Sequence, residues 1–90
     1  MNKDYVLETI EARLKELRKR YNAACNLKTE FGETLSSGSA AYYRTTYTQQ
    51  INMCILIKEL LNGATELSDE ASEGLYRLIE PVERHRRMKC

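Results

Sequence analysis

Tyr42-Tyr43-Arg44-Thr45-Thr46-Tyr47-Thr48-Gln49-Gln50-Ile51-Asn52-Met53-Cys54-Ile55-Leu56-Ile57-Lys58-Glu59-Leu60-Leu61 is the stretch on which the fold turns. Its first half is rich in tyrosine and threonine and favours strand by local propensity. A strand here would find no partner elsewhere in the chain, and a lone strand is not stable. Helix is therefore the reading, from about residue 40 to residue 62, ended by Gly63. Two apolar stripes then run along it: Tyr43, Tyr47, Ile51, Cys54, Ile57 and Leu61, and beside them Tyr42, Met53, Leu56 and Leu60. A helix apolar around so much of its circumference needs cover on two sides.

The flanks supply two further helices. Upstream, Leu7, Ile10, Leu14, Leu17, Tyr21 and Ala24 recur in steps of three and four, with Phe31 after a break at Lys28. That narrow stripe predicts a long, coiled-coil-like helix over residues 4–31. Glu11 to Lys15 and Glu16 to Arg20 are spaced for ion pairs one turn apart, and Gly32 is placed to close the helix. Within the linker 32–39, the serines Ser36, Ser37 and Ser39 suit a helix N-cap. Downstream, Ser68 opens a helix with Asp69 and Glu70 in its first turn, where the helix dipole favours negative charge. Its stripe is Ala71, Leu75, Leu78 and Val82, with Ile79 beside it. Pro81 removes one backbone bond, so this helix is expected over 68–80 and kinked or continuing to about residue 88. The expectation is an all-α fold: a three-helix antiparallel bundle in a single domain, residues 1–90.

Bulk properties narrow the class. A chain of 90 residues buries only roughly 60–65% of the surface it exposes when unfolded, so something must supplement its core. The three cysteines, Cys25, Cys54 and Cys90, are odd in number and far apart, which fits neither a disulfide framework nor zinc. The single histidine, His85, offers little to a metal, and no cofactor is expected. Self-association into a dimer or higher oligomer is what remains, with Leu7, Ile10, Leu14, Leu17, Tyr42, Met53, Leu56 and Leu60 as the expected partner interface. The start Met1-Asn2-Lys3-Asp4 leads into charged sequence with no signal-peptide core, and no apolar run approaches a membrane span. A cytoplasmic protein without membrane contact is expected. A net charge of +1 argues against a dedicated duplex-DNA binder.

The other charged clusters have plainer roles than a binding site. Arg18, Lys19 and Arg20 fan out around a leucine stripe among glutamates, the pattern of a solvated face. Arg84, Arg86, Arg87 and Lys89 suit the C-terminal end of a helix. His85 has no orienting carboxylate in sequence, and no cysteine has a His partner, so no catalytic residue is assigned and the chain is expected not to be an enzyme. The helical chorismate mutases share this size and helix pattern, and Arg13, Lys28, Arg44 and Gln49 are the residues that their site would require here. The second helix opens with Ser-Gly-Ser-Ala-Ala-Tyr-Tyr in place of that family's basic–acidic cluster, and no family is assigned.

The most suggestive feature is the start of the second helix. Unpaired amides and a positive dipole end attract anions there, and tyrosines offer faces for a flat ring. Ser37, Ser39, Tyr43, Arg44 and Tyr47 are thus the expected ligand-binding set, for a phosphate-bearing, nucleotide-like ligand. The expected function is non-enzymatic: a small oligomeric binding or regulatory protein of a bacterial or phage kind. The alternative is a protein–protein adaptor, chaperone or inhibitor that lays a partner helix on Tyr42, Met53, Leu56 and Leu60. Nucleic-acid binding ranks below both.

Overall fold

The computed structural model describes the backbone of residues 1–88 and the side chains of residues 1–79. Among the described residues three helices make up the fold: α1 (Lys3–Cys25), α2 (Ser37–Leu61) and α3 (Asp69–Met88). Among the described residues the only extended pairing is an isolated bridge between Lys28 and Thr34. The Tyr/Thr-rich segment is helical. Its threonines are accommodated by back-bonding, Thr45 and Thr46 donating their hydroxyls to the carbonyls of Ala41 and Tyr42.

Antiparallel neighbours follow from the cross-helix contacts. The Lys58 ammonium of α2 pairs with the Glu11 carboxylate near the start of α1, and Gly74 of α3 lies on Asn52 of α2. α2 is the central element. α1 and α3 each pack on it, and among the described residues the backbones of α1 and α3 do not come close to one another. Among the described residues the fully sheltered side chains are few and half of them small: Leu14, Leu17 and Ala24 on α1, Ala40 and Leu56 on α2, and Ala71 on α3. Leu14, Leu17 and Leu56, expected at a partner interface, are therefore core of the chain itself. Leu7, Ile10 and Met53 are partly covered, and Tyr42 and Leu60 stay exposed.

Helix ends depart from the sequence reading at identifiable points. α1 begins on Asn2, whose Oδ1 accepts the Tyr5 amide at 2.8 Å. It stops at Cys25, not near residue 31. The amides of Lys28 and Leu27 turn back to the carbonyls of Ala23 and Ala24, with Leu27 in the left-handed region at φ 56°. That is a Schellman closure with leucine where glycine is usual, which is why composition gave no stop signal there. Phe31 consequently leaves the helical stripe. Gly32, at φ 84°, turns the following loop instead of capping α1. α2 starts three residues earlier than expected, because Ser36 is the cap and accepts the Ser39 amide at 3.1 Å. Its far end matches expectation: Gly63 at φ 75° forms the same closure as Leu27, with Ala64 N–H bonded to Glu59 O. α3 runs as one helix through position 81 to Met88. Proline costs one backbone bond at that point, and the helix does not stop there. Glu16 pairs with Arg20 as expected, whereas Glu11 reaches across to Lys58.

Candidate functional site

The loop between α1 and α2 is a compact hairpin built around Thr29. Its hydroxyl oxygen accepts the amides of Phe31 (3.3 Å) and Glu33 (3.1 Å), and its own amide donates to the Glu33 carbonyl at 2.8 Å. Leu35 N–H closes the neck on Leu27 O at 2.8 Å, and Lys28 Nζ donates to Thr34 Oγ1 at 3.3 Å. Phe31 is carried at the tip, 82% exposed. An aromatic ring held open to water by a well-bonded loop is costly surface with no role in the core.

Opposite that loop stand Tyr43 and Tyr47, one turn apart on α2. Their rings are stacked, with centroids 6.0 Å apart and planes 19° from parallel, and Tyr42 meets Tyr43 edge-on at 5.7 Å. Between loop and helix lies a cleft of about 280 Å³, into which Phe31, Tyr43, Tyr47, Arg20, Lys28 and Glu30 face. Ala24 forms part of its wall, small enough to leave room. The charges on its rim are organised. Arg20 bonds Glu16 through its terminal nitrogen, and its buried Nε lies 3.2 Å from Glu30 Oε1 without hydrogen-bond alignment. Lys28, by contrast, meets only the neutral Thr34 hydroxyl among the described contacts.

The expected ligand-binding set is therefore split. Tyr43 and Tyr47 share this cleft. Arg44, on the other flank of α2, lines a separate polar groove of about 390 Å³ with Tyr21, Gln49 and, from α3, Glu73 and Arg77. Ser37 and Ser39 are exposed in the first turn of α2, outside the lining of both. The chorismate-mutase-like set does not converge either: Arg13 is held by Glu16 at 3.4 Å, Lys28 faces the aromatic cleft, and Arg44 and Gln49 the polar groove. Sequence reasoning missed Arg20, Lys28 and Phe31. The available signal was a phenylalanine directly before a glycine in an otherwise polar turn.

Chemically, the cleft offers stacking faces and charge. Among the described residues no group of three His, Cys, Asp or Glu side chains is placed to hold a metal. Cys54 has its thiol pushed up by burial, with Arg13 partly countering that effect, and it faces neither cleft. The basic C-terminal residues and His85 lie outside the described side chains. Among the described residues no helix is long and apolar enough to cross a membrane. No protein-family model matches the chain, and neither a curated protein nor a solved structure is similar to it.

Proposed function

We propose that this chain is a non-enzymatic binding protein that takes a flat-ringed, phosphate-bearing ligand of the nucleotide kind in the cleft between Phe31 and the Tyr43–Tyr47 pair. The observation that carries the reading is the stacked tyrosine pair facing an exposed phenylalanine across open space. Base–aromatic stacking contributes about 1–3 kcal/mol per ring. Lys28, free of any carboxylate among the described contacts, supports the phosphate end. Glu30 and Glu33 on the same cleft oppose a long polyphosphate, so a nucleoside monophosphate suits the charge balance better than a triphosphate. The binding set is thereby revised to Phe31, Tyr43, Tyr47 and Lys28.

The adaptor reading on Tyr42, Met53, Leu56 and Leu60 has less support, because Leu56 is buried and α3 lies on α2 at Asn52 and Met53. A thermal-shift panel of nucleoside mono-, di- and triphosphates tests the proposal. Ligand at a hundredfold its dissociation constant adds about 2.7 kcal/mol to stability, a readily measured rise in melting temperature. Monophosphates are expected to give the largest rise. No shift with any nucleotide, and no change in tyrosine fluorescence, sinks the proposal.

A further inference from the structure

We infer that the aromatic cleft selects guanine, with Glu30 recognising the Watson–Crick edge of the base. This rests on the nucleotide reading of the cleft and adds to it the identity of the ring. Glu30 is mostly covered, its side chain 22% exposed, and it lines the cleft with Phe31, Tyr43 and Tyr47. Its partner among the described residues is Arg20, whose Nε lies 3.2 Å from Oε1 without alignment for a hydrogen bond. No other described residue donates to either oxygen. A carboxylate covered this far and left without an aligned donor costs free energy that the fold itself does not recover. The missing donors come from the ligand. Glu33, the other carboxylate on the cleft, stands exposed to water.

The chemistry of a carboxylate discriminates among the bases. Ionised, it accepts and cannot donate, and its two oxygens suit two parallel donors. Guanine is the common base that offers such a pair, N1–H beside the exocyclic 2-amino group. Adenine sets its 6-amino group next to a bare N1, and cytosine its 4-amino group next to a bare N3. From either, a carboxylate gains one bond and turns its other oxygen on a lone pair. Uracil flanks its single N3–H with two carbonyls. Stacking on Tyr43 and Tyr47 tolerates any base, because every base has a π-face. Choice therefore falls to the edge, as in other pockets that read an unstacked base. Arg20 is a positioning residue: it bonds Glu16 through its terminal nitrogen and sets its Nε against Glu30, fixing a counter-charge on the α1 side.

Titration calorimetry with guanosine, inosine, adenosine and cytidine monophosphates is the test. Guanosine monophosphate is expected to bind at least about tenfold more tightly than the adenosine or cytidine nucleotide, the least that one charge-assisted bond supplies. Inosine monophosphate keeps N1–H but lacks the 2-amino group, so its affinity should fall between. Glu30→Gln replaces one acceptor with a donor, which matches the 6-amino group and N1 of adenine. It should turn the preference toward adenosine monophosphate, whereas loss of a merely structural contact would weaken all four alike. Glu33→Gln should leave the order unchanged. If Glu30→Gln loses its helical circular dichroism, the wild-type ranking and Glu33→Gln decide the matter. Equal wild-type affinity for the guanosine and adenosine nucleotides overturns the guanine assignment and leaves the stacking cleft standing. Failure to bind any of the four overturns the cleft reading and the assignment together. A guanine preference that survives in folded Glu30→Gln, or that Glu33→Gln removes, overturns the role of Glu30.

Discussion

The position of a Cβ on Gly74 falls 2.7 Å from the carbonyl oxygen of Asn52, on the helix that α3 crosses, and 3.1 Å from the amide nitrogen of Met53. Both neighbours are backbone in the middle of α2, so neither can swing aside as a side chain would. Gly74 is thus the point at which α3 gains close approach to the central helix, and Ala71, one turn earlier and fully buried, shares that small-residue seam. Gly74→Ala would raise helix propensity by about 1 kcal/mol. The overlap outweighs that gain, and forcing extra volume into a packed contact costs about 1–3 kcal/mol. The variant is therefore expected to be net destabilised. A urea midpoint lower than wild type is the expected result, and an unchanged or higher midpoint contradicts the contact.

Glu59 near the end of α2 fastens the start of α3. Its carboxylate accepts the Ser68 amide at 2.8 Å and the Ser68 hydroxyl, while Ser68 Oγ accepts the Ala71 amide at 3.2 Å as the N-cap of α3. The hydroxyl bond first, and the amide bond second, hold the Glu59 pKa below its ordinary value of 4.5. A group with a depressed folded-state pKa stabilises the fold fully above its unfolded value and loses that contribution as pH falls through the folded value. Glu59→Gln, which resembles the protonated side chain, should melt below wild type at neutral pH. The gap should close as pH drops well below 4.5. A gap that stays constant through that range rules out the carboxylate as its source.

Fold and site were legible to different degrees, for local reasons. The leucine stripe of α1 and the double stripe of α2 are periodic enough to be read directly. Gly63 could be read as a stop because glycine is the ordinary residue for the left-handed position. Leu27 occupies the same position at the end of α1, and leucine carries no such signal, so six residues were assigned to the wrong element. That one displacement hid the cleft, since Phe31 and Lys28 face it only when the chain leaves the helix at Cys25. Tyr43 and Tyr47 were legible as a pair because they lie one turn apart. Arg44 follows Tyr43 directly, and adjacent residues on a helix point about 100° apart, which carries Arg44 to the other flank.

Leu27 at φ 56° can be tested by an isomer. A left-handed conformation costs an L-residue roughly 1–2 kcal/mol, and a β-branched side chain tolerates it least. Leu27→Ile preserves composition and nearly all of the apolar surface. It should nevertheless destabilise the protein by about 1 kcal/mol or more, read as a lower denaturation midpoint. An isoleucine variant as stable as wild type contradicts the left-handed closure of α1.

Cys25 and Cys54 should differ in reactivity. Cys25 is exposed at the last residue of α1, whereas Cys54 is partly buried and its pKa is raised by that burial. A raised pKa lowers the thiolate fraction at any given pH, and the thiolate is the nucleophile. Iodoacetamide should therefore alkylate Cys25 well before Cys54, as followed by peptide mass spectrometry. Arg13→Ala removes the charge that partly offsets burial, and should slow Cys54 further. Equal rates at the two positions exclude this picture.

The revised cleft and the sequence-based set make opposite predictions for the same assay. Phe31 is 82% exposed, so Phe31→Ala should change stability by no more than about 0.5 kcal/mol. If its ring forms one wall of the ligand site, the same substitution should abolish the nucleotide-induced rise in melting temperature. Lys28→Ala should reduce the rise for a monophosphate more than that for the corresponding nucleoside, because it removes the charge and, besides that, a single exposed bond to the Thr34 hydroxyl. Arg44→Ala and Ser37→Ala act outside the cleft and should leave the rise intact. The reverse pattern, with Arg44→Ala abolishing the effect and Phe31→Ala silent, would move the ligand to the polar groove on the opposite flank of α2 and end the case for the aromatic cleft.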